Sequence, residues 1–307
     1  MRGEKGKPHC LRQTGKRLSR FSLVICHSFL LFAVIVHAQN SPCAFDKQTL
    51  QFTGTPLEQA LCLLRPVKIS GNLGSQLKKL PSPLEKLIGK PIEIQRTKFR
   101  EFLRKNKIEE SEIGGSLDSP LSKALLPDGR EISALYFLIH DTSSPYLKDE
   151  PFPAEINEKD WRGNDLRIWK NQPVAHVFVN RAGESATIVE FGEPVKKGFG
   201  TKFARDFLKQ DAKGLQIHIE LVQPRRRDPL RKPETNDAIA PTPGFTAEQY
   251  DRLALLYAAA SVRRGLWLIP AFHAATDAGI KDAHDDPQNF ELKIWAKSLA
   301  KLLKKIG

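Results

Sequence analysis

Cysteine is scarce in this chain, four residues in 307, and Cys10 and Cys26 fall within the first 38 positions. Only Cys43 and Cys62 remain for the rest, so thiolates are absent from residues 63–307 and any metal site there must use imidazoles and carboxylates. Histidine is missing from residues 39–139, which removes that stretch as a source of imidazole ligands. The longest apolar run, "FSLVICHSFLLFAVIV" at 21–36, falls short of the ~20 residues a spanning helix needs and contains His27, which argues against a membrane anchor. No internal repeat is visible, and no cysteine stands where lipidation would require one.

What precedes and follows that run points to export. Residues 1–20 carry Arg2, Lys5, Lys7, Arg12, Lys16, Arg17 and Arg20 against Glu4, and Val36 and Ala38 occupy the −3 and −1 positions of a small-residue cleavage site. Residues 1–38 are therefore expected to be a signal peptide, with the mature chain periplasmic or secreted. Removing them lowers the formal charge from +13 to about +7, a balance that suits an anionic polymer such as a cell wall and equally a soluble surface. In an oxidising compartment Cys43 and Cys62 are expected to form a disulfide.

Residues 39–130 are expected to be a mainly helical module or extension. "PLEQALCLLRPV" (56–67) starts on Pro56 and places Leu57, Ala60, Leu61 and Leu64 on one face. "TKFREFLRKNKI" (97–108) sets Phe99, Phe102 and Leu103 on an apolar stripe opposite basic residues. A Gly/Ser/Pro-rich stretch over 112–131 is the candidate boundary.

From 131 to 307 the texture is α/β, and a central mixed sheet flanked by helices is expected. Strands are expected at 134–140, 174–180, 185–191, 215–222 and 266–270, with a hairpin turn at 180–185. A capping box at Thr246 and Gln249 opens a helix that Gly265 closes. A second, over 289–306, presents Phe290, Ile294, Leu299 and Leu302 to the core and lysines to solvent, a solvated face in the first instance. The proline-rich basic loop at 223–244 is long enough to be functional or disordered.

The five histidines beyond the leader are His140, His176, His218, His273 and His284. His140 ends an apolar strand where a Thr/Ser-rich loop begins, and strand ends are where α/β sheets build sites. Alternation in "LQIHIELV" puts His218 and Glu220 on one face, where burial is costly without partners. His176 is a lone polar group amid apolar ones. A catalytic zinc site needs three protein ligands and an open position. His140, His273 and one acid of "HDDP" could supply them, but spacing alone leaves His273, Asp277, Asp282, His284, Asp285 and Asp286 all available.

"YFLIHDTSS", "AHVFVNRAGE", "LQIHIELV" and "FHAATDAGIKDAHDDPQNF" occur in the order seen in the zinc-dependent N-acetylmuramoyl-L-alanine amidases, and residues 133–300 resemble that family. The group also holds phage lysozyme-type amidases and peptidoglycan-recognition proteins. The resemblance implies His140, in an "IH-x-T" setting with Thr142, as the first zinc ligand. It implies His273 as the second and Asp286, before Pro287, as the third. Glu220 matches the family's catalytic glutamate. His284 stands where the family has an oxyanion-steadying lysine, a role an imidazolium keeps over a narrower alkaline range. Gln288 replaces a glycine, and Ala175 stands in place of the tyrosine of the phage-type enzymes.

The implied reaction is hydrolysis of the amide between N-acetylmuramic acid and L-alanine, with peptidoglycan or a muropeptide as substrate and Zn²⁺ as cofactor. His176, His218 and Thr142 are then expected to contact substrate or support the ligands. No nucleic acid, no membrane anchor after cleavage, and a monomer are expected. Two other readings stand beside it. One is a non-catalytic peptidoglycan-binding protein of the same fold. The other is an exported basic protein whose 223–244 loop binds polyanions and whose histidines are structural.

Overall fold

A computed structural model describes residues 43–68, 72–198, 200–208, 210–230, 238–281 and 283–307. The expected signal peptide, Asp282, and residues 231–237 of the basic loop lie outside the described residues. Residues 38–307 form one compact unit. No described helix is long and apolar enough to cross a membrane.

The chain opens on a two-stranded ribbon, β1 (Phe45–Asp46) with β2 (Gln51–Phe52), then the helices α1 (Pro56–Leu63), α2 (Ser82–Leu87) and α3 (Arg96–Lys105). Thr55 and Glu58 close a capping box on α1, with Pro56 in the first turn, where its missing N–H costs nothing. Cys43 and Cys62 are joined by a disulfide, with Cα atoms 5.9 Å apart. A hairpin of β3 (Lys123–Leu125) and β4 (Glu131–Ser133) follows.

The central sheet takes β5 (Tyr136–Asp141), β6 (Val177–Val179), β7 (Ser185–Thr187), β8 (Gln216–Leu221) and, beyond the short ribbon of β9 (Arg226–Arg227) and β10 (Ala238–Ile239), β11 (Ile269–Phe272). The strand order is β11-β5-β8-β6-β7. The first four run parallel, and β7 turns back antiparallel to β6. The sheet is thus mixed, as the alternation of strands and helices leads one to expect.

The last strand sits further along the chain than expected, at 269–272 instead of 266–270. Leu266 and Trp267 instead pair back to the segment after α2, with the Trp267 N–H on Lys90 O at 2.9 Å. β11 contains Pro270, which cannot donate to a ladder, and it lies at the sheet edge, where that defect is harmless.

Helix α4 (Ala247–Arg264) carries the capping box at Thr246 and Gln249 and ends on Gly265 at φ 78°, the left-handed conformation a glycine adopts without strain. The four-residue α5 (His273–Thr276) begins as β11 ends, and α6 (Leu292–Ile306) packs along α4. Trp295 is the largest fully buried side chain of that layer, and the expected Leu299 and Leu302 are buried beside it.

The segment before the sheet shares the same hydrophobic cluster as the sheet itself. Tyr136, at the start of β5, accepts from the Phe52 N–H at 2.8 Å and donates to Gln59 Oε1 at 2.8 Å. Residues 112–131 are packed as well: Ile113, Leu117 and Leu121 are buried, and Arg263 donates to the carbonyls of Gly114, Ser119 and Pro120.

Candidate metal centre

Parallel strands bring their carboxyl ends to one edge, and that edge collects the polar residues of this chain. His140 on β5 pairs in register with Glu220 on β8, which pairs with Phe178 on β6, so all three project from one face in a single row. His273, immediately after β11, extends the row, and the loop after α5 returns Asp286 to it. Ligand atoms of His140, His273 and Asp286 all lie within 4.8 Å of one another, and all three residues are buried.

Hydrogen bonds decide which ring atom faces the cluster. A carboxylate can only accept, so His273 Nε2 donates to Asp277 Oδ2 at 3.0 Å, and its Nδ1 points inward. That Nδ1 is 2.9 Å from His140 Nδ1 and 3.0 Å from Asp286 Oδ1. His140 Nδ1 in turn is 3.6 Å from Asp286 Oδ2, while His140 Nε2 is held by His218 Nδ1 at 3.0 Å. Two imidazole nitrogens facing each other beside a carboxylate repel unless a positive charge, a proton or a cation, sits between them.

The electrostatics favour that charge. Burial opposes protonation of His273, but Asp286 and Asp277 outweigh it and hold the ring up at about 10. His140 is driven well below the usual imidazole range by burial and then by its positively charged neighbour His273. Asp277 would be raised by burial, yet bonds from His273 and His284 and from the Phe203 N–H keep it low and ionised. The donor set fits zinc: two imidazole nitrogens and a carboxylate, with a second carboxylate orienting one imidazole from behind.

Glu220 lies beside the cluster, partly exposed, with its Oε2 enclosed and without a hydrogen-bond partner. Burial, followed by the charge of Asp286, raises its carboxyl well above the usual carboxylate range.

The remaining expected residues are placed differently from one another. His284 reaches the cluster from outside, about half exposed, with Nδ1 donating to Asp277 Oδ2 at 3.3 Å and its ring stacked on His273 at 4.3 Å. His218 sits beneath His140 with its Nε2 enclosed and unpartnered. Gly200, at φ 76°, lies so close to that ring that an added Cβ would overlap it. His176 does not face a cleft. It is wholly buried, its Nε2 donates to Glu193 O at 2.9 Å, and its Nδ1 accepts from the His218 N–H at 3.0 Å. Both nitrogens are spent on backbone, so the ring braces the sheet instead of meeting a substrate. The Thr142 hydroxyl likewise donates to Ser144 O and accepts from the Gln223 N–H, tying down the loop after β5.

Sequence reasoning passed over the group that holds Asp286 in place. Arg225, 1 % exposed, donates to Asp141 Oδ2 at 2.7 Å and reaches Asp285 Oδ2 at 3.4 Å. Asp141 also accepts from the Gln288 N–H at 3.2 Å, and its own N–H donates to Asp286 Oδ2 at 3.2 Å. Asp286 is thus gripped directly by the Asp141 N–H and through Asp285 before it and Gln288 two positions after it. The available signal was Asp141 itself, an acid directly following a candidate ligand on an otherwise apolar strand.

No family model matches the chain, and no curated protein matches it. Among solved structures, the crystal structure of a selenomethionine AmpD derivative is similar at 16% identity, covering 61% of this chain and 97% of that one with a TM-score of 0.31. A likeness at that level carries no argument about this chain, and the reading of the site rests on its own residues.

Proposed function

We propose that this chain is a zinc-dependent amide hydrolase acting on peptidoglycan, at the bond between N-acetylmuramic acid and L-alanine. The observation that carries the reading is the convergence of His140, His273 and Asp286 next to a glutamate whose enclosed oxygen has no partner. The four ordered motifs shared with the amidases supply the choice of substrate, and the basic, apolar leader supports export to the periplasm or beyond.

His140, His273 and Asp286 would hold a zinc ion, which would supply Lewis acidity, bringing the pKa of water down toward neutrality and polarising the scissile carbonyl. Glu220 does the proton work. Its raised proton affinity suits a base that takes a proton from the attacking water and returns it to the departing alanine amine. Asp277 keeps the His273 ring turned with Nδ1 inward, and His218 does the same for His140. His284, at the exposed rim, is the group closest to the lysine position of the family and is assigned the developing oxyanion.

The test is zinc content after dialysis together with dye release from labelled sacculi. The wild type is expected to retain near-stoichiometric zinc and release dye. His273→Ala should lose both, and Glu220→Ala should keep the zinc and lose release. A wild-type chain that dialyses free of zinc overturns the proposal. The second reading, a protein that binds peptidoglycan without cutting it, draws on the pairing of His284 with Asp277 in place of a free lysine. Sacculus binding with zinc present and no dye release would establish it instead.

A further inference from the structure

Beyond the expected leader, positive charge is concentrated in two stretches. Residues 78–107 and 292–306 hold fifteen Lys and Arg against Glu85, Glu93 and Glu101, a net +12, whereas residues 39–307 as a whole carry only about +7. They are the strands of sequence that form α2, α3 and α6, and α6 packs against both of the others. What reads in sequence as the solvated face of one helix is therefore part of a surface built from three.

That surface is furrowed. A cavity of about 750 Å³ lies between the end of α2 and the last turn of α6, lined by Lys86, Lys90 and Lys98 over Leu303 and Ile306. It continues through Lys98 and Ile306 into a depression of about 250 Å³ that adds Lys105 and Lys305. Through Phe102 and Lys305 this joins a third, of about 280 Å³, beside Lys301. All six lysines are exposed. Among the described residues, Lys86, Lys90 and Lys305 have no carboxylate partner, while Lys105 and Lys301 hold exposed Glu101 and Asp251, pairs that open readily for a stronger anion.

We infer that this furrow binds a linear, base-free polyanion of the polyphosphate class. Three connected depressions carrying cations along their length follow a chain better than a flat surface. A bilayer is disfavoured because the apolar face of α6 is already buried against α4, leaving none to insert. Single-stranded nucleic acid is disfavoured because binding it draws on exposed aromatic platforms. The aromatic rings nearest this furrow, Phe99, Phe102 and Trp267, are buried or half-buried. The furrow lies at the opposite end of β11 from His273, since Trp267 lines it and pairs with Lys90. Occupying it leaves the metal centre uncovered.

The experiment titrates the full chain with linear inorganic polyphosphate at several NaCl concentrations. Binding should weaken linearly on a log–log plot. The variant Lys86→Gln/Lys90→Gln/Lys98→Gln/Lys305→Gln should lower the salt slope by roughly 3, at about 0.7–0.9 per lost contact, and raise Kd at least ~10-fold. Its zinc content and thermal midpoint should match the wild type. A second variant of equal charge, Lys148→Gln/Lys170→Gln/Lys196→Gln/Lys197→Gln, should leave the slope nearly unchanged. Equal loss from both variants overturns the inference by reducing it to net charge. So does oligo(dT) binding as tightly as polyphosphate at matched charge, or attachment to phosphatidylglycerol vesicles without polyphosphate binding.

Discussion

The two ends of β11 solve opposite electrostatic problems. At its carboxyl end, His273 meets Asp277, Asp286 and His140 out of solvent, where every charge needs a partner within hydrogen-bond reach. At its amino end, roughly 20 Å away along the backbone from Trp267 to His273 at about 3.3 Å per residue, ammonium groups stand in water with few partners. Buried charge is costly to leave unmatched and so specifies geometry. Exposed charge is cheap, specifies little, and serves a partner that arrives from outside. Changes at the first end should therefore be felt in folding and metal affinity, and changes at the second in salt-dependent binding alone.

The strongest test of that contrast is Arg225→Met. It leaves Asp141 buried without its cation and should cost about 3–5 kcal/mol, read as a lowered urea midpoint. Adding Asp141→Leu should restore much of the loss, because both charges are then gone. If the single variant is as stable as the wild type, the pair does not hold the site.

Acid should act next most strongly. Burial holds His176 down to about 4, while the unfolded chain titrates near 6.5. Between those values the unfolded state binds the proton that the folded state refuses. The contribution of His176 is therefore complete above pH 6.5 and falls as pH drops toward 4, by about 3 kcal/mol. His176→Gln should flatten that limb of a pH–stability curve, measured by denaturant titration. A variant with an unchanged limb would assign the acid sensitivity elsewhere.

Asp277→Asn should weaken zinc roughly 10–100-fold in a chelator competition while leaving the fold in place, since it loosens the orientation of His273 without removing a ligand. The smallest effect belongs to the basic end. Lys86→Gln or Lys90→Gln alone should shift stability by less than about 0.5 kcal/mol in a thermal melt, as for surface residues generally.

Local patterns were legible where local physics decides. Thr246, Gln249 and Gly265 bound α4 as their chemistry requires, and the apolar strands of the central sheet were found close to their positions. β11 was displaced because the apolar run "LWLIP" continues through a turn that pairs Trp267 with Lys90, a contact set by tertiary structure. The ligand set was open on spacing alone and was narrowed by family resemblance, and the side chains of His140, His273 and Asp286 do converge. Of the Arg225–Asp141–Gln288 grip only Asp141 is signalled in the sequence; its partners lie 84 and 147 positions away and no periodicity links them. His176 stood out as polar among apolar neighbours for a reason internal to the sheet, the two backbone groups it satisfies.

His140 and His273 are 133 positions apart in the chain, yet their ring nitrogens touch. A cation shared by them would close a loop spanning nearly half the polypeptide, so releasing it and melting the sheet would become linked equilibria. Each tenfold excess of free metal over its dissociation constant would then add about 1.4 kcal/mol of resistance to unfolding. The supply of the ion in the surrounding medium would thereby set how long the folded chain survives there.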